Sequence, residues 1–283
     1  MKYRGLIAMD LDYTLLMPQF YITPGNLAAL KKAHEAGYLL ALCTGRSAYM
    51  VLRRYDDWKV KGLIDIIIGC NGSEYLDLHS SLDVSVIGFV TKAAVKEVLE
   101  LTKGIPVGFA WYGKDVVYTN PDNPHADIIA QQMGIPLEVI PQEELAERFP
   151  NVWAKAVFFL ADESQQYIKE LIEKDQKEDY RLVFSDPLIL EILPSDIDKG
   201  VGIKKAAKTY DIDLKNAMGI GDNYNDWEML DVCGFGVAMG NGVDYLKERA
   251  DYVTGSIYQD GVAQAIGIFL KQQQEETKHD QEI

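Results

Sequence analysis

The sequence predicts an α/β protein: a doubly wound parallel sheet interrupted by an inserted α+β domain. Three observations predict it. Uniformly apolar runs of strand length alternate with helical patterns in both end portions of the chain, as parallel strands buried on both faces require. From about Val84 to Leu193 the pattern changes to short alternating strands joined by turns, with amphipathic helices between them. Several short polar motifs begin where an apolar run stops, which sets them at the ends of buried strands, where open α/β sheets place ligands.

On this reading residues 1–83 form the first part of the core, 84–193 the insertion and 194–283 the rest of the core. Strands are predicted at Leu6–Met9, Tyr38–Cys43 and Ile64–Ile68. Thr23 and Pro24 supply a cap and a first-turn proline for a helix that Gly37 closes, and Ser47–Trp58 forms the next helix. In the insertion, Pro106–Ala110 and Val116–Thr119 flank Gly113-Lys114. Arg181–Phe184 and Leu188–Ile192 flank Ser185-Asp186-Pro187, so both pairs carry a hairpin signal. Helices at Lys92–Lys103 and Ser164–Lys174 complete that domain. Beyond it come strands at Ala217–Ile220 and Phe235–Met239, with helices at Val201–Tyr210, Asp226–Cys233, Val243–Ala250 and Val262–Leu270. The polar tail Gln272–Ile283 is expected to fray beyond the last helix.

At 283 residues, 48% of them hydrophobic, the chain has ample material for a large core. A net charge of −15 argues against nucleic acid or an anionic membrane surface as the main partner. Any anionic ligand must then be drawn in by local cations and backbone N–H groups, against the global field. Cys43, Cys70 and Cys233 are too scattered for a disulfide framework or a zinc site and read as buried fillers. The apolar run before Asp10 is too short for a signal peptide or a membrane span, so a cytoplasmic location is expected.

Four motifs carry the chemistry. Asp10-Leu11-Asp12-Tyr13-Thr14 follows the first strand. Asp10 can act as a nucleophile toward phosphorus, given a cation and in-line geometry. Asp12 suits a general acid that then serves as general base, and Thr14 can hold Asp12 or cap the turn. In Thr44-Gly45-Arg46 the hydroxyl and neighbouring N–H groups can bind phosphoryl oxygens, with the helix from Ser47 offering its N-terminus and Arg46 a clamp. Lys199 of Lys199-Gly200 can bridge Asp10 and a transferring phosphoryl group. In Gly221-Asp222-Asn223-Tyr224-Asn225-Asp226, Asp222 and Asp10 fit a magnesium site. Asp226 fits a supporting metal role, the N-cap of the following helix, or both.

In this order the motifs resemble the haloacid dehalogenase superfamily, and closely its Cof-type branch, over essentially the whole chain. Asn71-Gly72, the stretch Gly236–Asn241, Ala250–Thr254 and Asp260–Ala263 are similar to that branch as well. The resemblance implies a Rossmann-like core with an inserted α+β cap domain and a Mg2+-dependent phosphatase working through an aspartyl phosphate on a small phosphomonoester, such as a sugar phosphate. It implies Asp10 as nucleophile, Asp12 as acid/base, and Thr44, Gly45, Arg46, Lys199 and Asn225 around the phosphate. Metal roles fall to Asp10, Asp12 through its backbone carbonyl, and Asp222, with Asp226 and Asn225 in support. Tyr13 departs from the family pattern, which usually has glycine there. A phosphomutase and a non-catalytic binding protein remain alternatives on the same fold. Selectivity is assigned to the cap, with His125, Trp111, Tyr112 and Trp153 as candidates beside their plainer roles as core or capping residues. Oligomeric state stays open.

Overall fold

The computed structural model describes residues 3–105, 107–121, 123, 125–141, 144, 147–160, 170, 177–186 and 188–281. They form two compact units, Met1–Ser85 with Asp198–Ile283, and Val86–Ile197. The predicted helix at Ser164–Lys174 falls outside the described residues except at Glu170.

The first unit is built on an eight-stranded sheet. In spatial order it runs Tyr252–Val253, Phe235–Ala238, Ala217–Gly221, Gly5–Met9, Tyr38–Cys43, Ile66–Gly69, Glu74–Asp77 and Ser85–Val86. The first six strands are parallel. The chain begins at the central Gly5–Met9, winds outward through Tyr38–Cys43, and later restarts on the other side with Ala217–Gly221. Winding therefore reverses between Gly5–Met9 and Ala217–Gly221, and their carboxyl ends open the crevice that such sheets use for ligands.

Every residue of these two strands and of Tyr38–Cys43 is buried. Layers on both faces leave polar side chains no place until the strands end. Ile7, Leu40, Leu42, Met218 and Val237 pack in one core with Leu30, Ile266 and Phe269 from the flanking helices. Thr23 caps the helix Pro24–Glu35 by accepting from the Asn26 N–H at 3.2 Å, and Gly37 takes φ +86° just beyond its end. Among the described residues no helix is long and apolar enough to cross a membrane.

Two features differ from the sequence reading. Glu74–Asp77 pairs antiparallel with Ile66–Gly69. Cys70, Asn71 and Gly72 have φ of 49°, 54° and 109°, and three successive left-handed residues turn the chain straight back without a crossover. The last helix also runs Gly261–Gln281, through most of the tail expected to fray. That tail is rich in Gln and Glu, both good helix formers, and Lys271 just before it pairs with Glu275 one turn on at 3.9 Å.

The second unit is α+β. Its six-stranded sheet runs Tyr180–Asp186, Ile189–Pro194, Ala156–Leu160, Val107–Tyr112, Val117–Thr119 and Leu137–Val139. All pairings are antiparallel except the last. A two-stranded ladder of Val90–Thr91 with Val152–Trp153 and helices Lys92–Leu101 and Ala126–Met133 accompany it. Of the four candidate selectivity residues, Trp111 is core, stacked on Tyr118 at 4.8 Å and edge-on to Phe149. Trp153 packs against the same core and Tyr112 is half-buried. His125 stands at the N-cap of Ala126–Met133, but its side chain makes no capping bond and its ring lies 5.5 Å from Phe159.

Candidate active site

Asp10 is the first residue past the Gly5–Met9 strand, and its N–H continues the ladder to the Ile220 carbonyl at 2.9 Å. This fixes its carboxylate at the reversal point of the sheet. Lys199 opens the helix Lys199–Thr209, whose N-cap Asp198 accepts from the Val201 N–H at 2.9 Å. A Cβ on Gly200 would lie 2.5 Å from the Glu228 carbonyl oxygen, so glycine lets this helix close in and carry Lys199 into the interior. There the wholly buried ammonium donates to Asp10 Oδ1 at 2.6 Å and to Asp226 Oδ1 at 2.5 Å.

Asp226 is equally enclosed and fully used. Its Oδ2 accepts from the N–H groups of Asp222 and Asn223 at 2.8 and 2.9 Å. It therefore closes a capping box over the short turn Tyr224–Asp226 from the third position, and makes no side-chain cap for the helix Trp227–Val232. The N-cap reading is corrected on this point. The cause is Gly221, where a Cβ would stand 2.4 Å from that of Asp226: the loop folds back on the strand end instead of running straight into the helix. Thr14 donates to Asp222 Oδ1 at 2.7 Å, not to Asp12, so it braces the fourth motif from the first.

Oxygens of Asp10, Asp222 and Asp226 lie within 4.8 Å of one another. One lysine thus faces three carboxylates. Burial pushes the Asp10 carboxyl well above the usual carboxylate range; Lys199 opposes this, while Asp226 and Asp222 add to it. Asp222 is pushed up to about 6, by burial first and by Asp226 next, against the Thr14 hydrogen bond and Lys199. Burial disfavours the Lys199 cation, but Asp10 and Asp226 outweigh it and hold the ammonium charged. An all-oxygen donor set with unbalanced negative charge fits a hard divalent cation. Asp10 and Asp222 would hold such an ion through the oxygen that Lys199 or Thr14 does not occupy, whereas both oxygens of Asp226 are taken by Lys199 and by the Asp222 and Asn223 N–H groups.

A carboxyl whose pKa is raised by folding stabilises the fold while protonated, and that contribution is lost as pH rises from the unfolded value toward the folded one. With metal chelated, melting temperature should fall as pH rises from about 4 to about 6, the window set by Asp222. A melting temperature that rises across that window in chelator would contradict it.

Asp12 stands apart from this group. Its two oxygens accept from Arg46 Nη2 and Nε at 2.6 and 2.7 Å, a two-point ion pair. The Phe20 ring lies 5.6 Å from that guanidinium. Thr44 is buried, its N–H donating to the Ile68 carbonyl and its Oγ1 accepting from the Arg46 N–H at 3.1 Å. The helix N-terminus expected to receive phosphate is already taken. Buried Glu74 accepts from the Ala48 N–H at 2.6 Å and from Ser47 Oγ at 3.3 Å. An isolated acid in a buried strand pattern was the available signal, and sequence reasoning passed over it. Asn225 is exposed, and its amide donates to Asn71 Oδ1 at 2.9 Å. Tyr13 sits at φ 62°, a strained value for a bulky residue, with its ring 57% exposed and its carbonyl held by Asn241 Nδ2 at 2.9 Å.

This arrangement coincides with a known family. Residues 7–266 match the haloacid dehalogenase-like hydrolases. The chain belongs to that family. Relatives of this hydrolase include the 5-amino-6-(5-phospho-D-ribitylamino)uracil phosphatase YwtE of Bacillus subtilis, 28% identical over 94% of this chain and 98% of that one. Pyridoxal phosphate phosphatase YbhA of Escherichia coli is also 28% identical, over 92% and 97%. Among solved structures, a haloacid dehalogenase-like hydrolase from Bacteroides thetaiotaomicron superposes with TM-score 0.81 at 25% identity, covering 94% of this chain and 99% of that one. The haloacid dehalogenase-like hydrolase described here is accordingly an enzyme of the phosphatase class, with the α/β core that its sequence predicts.

Proposed function

We propose that the protein is a Mg2+-dependent phosphatase that hydrolyses a small phosphomonoester through a phosphoryl group carried on Asp10. The observation that carries this is the Asp10 carboxylate at the sheet's reversal point, 2.6 Å from a buried lysine and grouped with Asp222 and Asp226. A bound magnesium ion supplies neutralising charge for the carboxylates and the transferring phosphoryl group.

The chain's own residues divide the work. Asp10 Oδ attacks phosphorus and the bond to the ester oxygen breaks. Asp12 gives its proton to that oxygen, so the leaving group departs as an alcohol. Asp12 then takes a proton from a water that attacks the phosphoryl group, releasing inorganic phosphate and restoring Asp10. Lys199 balances charge at Asp10 throughout, and the Thr44 hydroxyl donates to a phosphoryl oxygen. Both Asp12 oxygens accept from Arg46 in this structure. Its turn as an acid therefore needs a phosphoryl dianion to draw the guanidinium away and the freed carboxylate to take a proton from solvent, which it then gives to the ester oxygen.

The test is phosphate release from a panel of metabolite phosphates, with MgCl2 or with chelator. Release that needs magnesium supports the reading, and release undiminished in chelator contradicts its metal requirement. A phosphomutase would instead return label to a sugar bisphosphate.

Within this class, the exposed Phe20 ring against the Arg46 guanidinium and the exposed Tyr13, next to Asp12 in sequence, favour an ester with a planar ring over a saturated sugar phosphate. YwtE and YbhA are named for esters bearing such rings. Tyr13→Gly also relieves the left-handed backbone, so it should fold normally. Its ratio of kcat/KM for pyridoxal phosphate over glucose 6-phosphate should fall by roughly fivefold, the worth of one ring contact. An unchanged ratio would remove Tyr13 from substrate selection.

A further inference from the structure

Asn71 occupies a position that the chemistry above does not use. It is 6% exposed and left-handed, φ 54° and ψ 33°, between two further left-handed residues. Such a run is costly, and it persists only where surrounding contacts over-determine it. Here the contacts run to two of the four motifs. The Asn71 N–H donates to the Thr44 carbonyl at 3.0 Å, and the neighbouring Cys70 N–H donates to the Arg46 carbonyl at 2.8 Å. Both ends of the Thr44–Arg46 turn are thereby hung on the strained turn.

The Asn71 side chain faces the same loop. A Cβ on Gly45 would stand 3.5 Å from Asn71 Oδ1 and 3.6 Å from Nδ2, so the amide faces Gly45 with room for no more than a methyl group between them. Its oxygen receives the Asn225 amide, 154 residues away in sequence and next to Asp226. One buried amide therefore spans from the loop carrying Thr44 and Arg46 to the loop carrying Asp222 and Asp226.

We propose that Asn71 is a positioning residue that sets the phosphate-binding turn against the fourth motif, and that Asn225 acts through it. The inference rests on the phosphatase reading above. Its chemical content is registry: phosphoryl oxygens held at Thr44 must meet Asp10 in line, and the Asp222 loop must stand at a fixed offset from that turn. A displacement of one loop relative to the other degrades in-line attack far more than it degrades ground-state binding.

The test is a double-mutant cycle on the full chain. Asn71→Gly deletes the amide while glycine accepts the left-handed backbone without strain, so the variant should fold with an unchanged or slightly higher melting temperature. Asn225→Ala deletes the other partner. Each single variant should lose kcat by about 10- to 100-fold, the range found for groups that orient active-site ligands, with KM moving much less. The double variant should be no slower than the slower single one, because both changes break the same link. Multiplying losses would overturn the proposal, as would an unchanged kcat in Asn71→Gly. So would a loss that appears in melting temperature alone. Wild-type protein in the same assay separates the two levels: no release from any ester strikes the phosphatase reading itself, whereas active wild type with unaffected variants strikes only Asn71.

Discussion

Asp10→Asn is expected to lower phosphate release by more than about 1,000-fold, as loss of a covalent nucleophile does in comparable enzymes, while leaving the fold at least as stable in metal-free buffer. The two halves of this result have separate causes. Activity goes because an amide oxygen cannot form the phosphoryl linkage. Stability stays because the amide oxygen can still accept from Lys199, which keeps Asp226 as its anionic partner. The folded state already resists the ionised form of Asp10, through burial and the nearby carboxylates. A neutral side chain escapes that penalty at neutral pH. Phosphate assays beside thermal melts in chelator would check both halves, and a variant that melts well below wild type there would show that the electrostatics have been misjudged.

Asp226→Ala should do the opposite, damaging the fold first. Lys199 would lose one of two anionic partners in a fully buried setting, and the N–H groups of Asp222 and Asn223 would lose their acceptor. Breaking a buried ion pair from one side costs about 3–5 kcal/mol. For a unit of this size that corresponds to a melting temperature lowered by roughly 6–20 °C. Activity should fall with it, since the Asp222 loop is then free to leave its place beside Asp10. Asp226→Asn keeps an acceptor for one set of donors and should fall between the two. A thermal melt within experimental error of wild type for Asp226→Ala would remove Asp226 from the structural role assigned to it.

Much of this was legible before any coordinates. Apolar runs such as Tyr38–Cys43 and Ala217–Ile220 mark buried parallel strands because both sheet faces are covered, and the carboxylates at their ends inherit their positions from that register. Asp10, Lys199, Asp222 and Asp226 converge for this reason although 189 residues separate the first two. What escaped the sequence was local geometry that periodicity does not encode. The reversal at Cys70–Gly72 depends on three backbone angles, only one of them at a glycine. Glu74 reads as an ordinary strand residue until the turn brings it beneath the Ser47–Ala48 amides. The Arg46–Asp12 pair and the Thr14–Asp222 bond join motifs whose separate roles were clear and whose mutual bracing was not. The tail failed for a different reason: polar composition was read as fraying, although its residues favour helix and continue one already anchored in the core by Phe269.

The most direct test of the central claim is a rapid acid quench of the enzyme turning over a radiolabelled phosphomonoester in magnesium. The account predicts protein-bound label, released by hydroxylamine as acyl phosphates are, that maps to the peptide containing Asp10 and is missing from Asp10→Asn. Phosphate release from wild type with no label on the protein, or with label on any other residue, would contradict it.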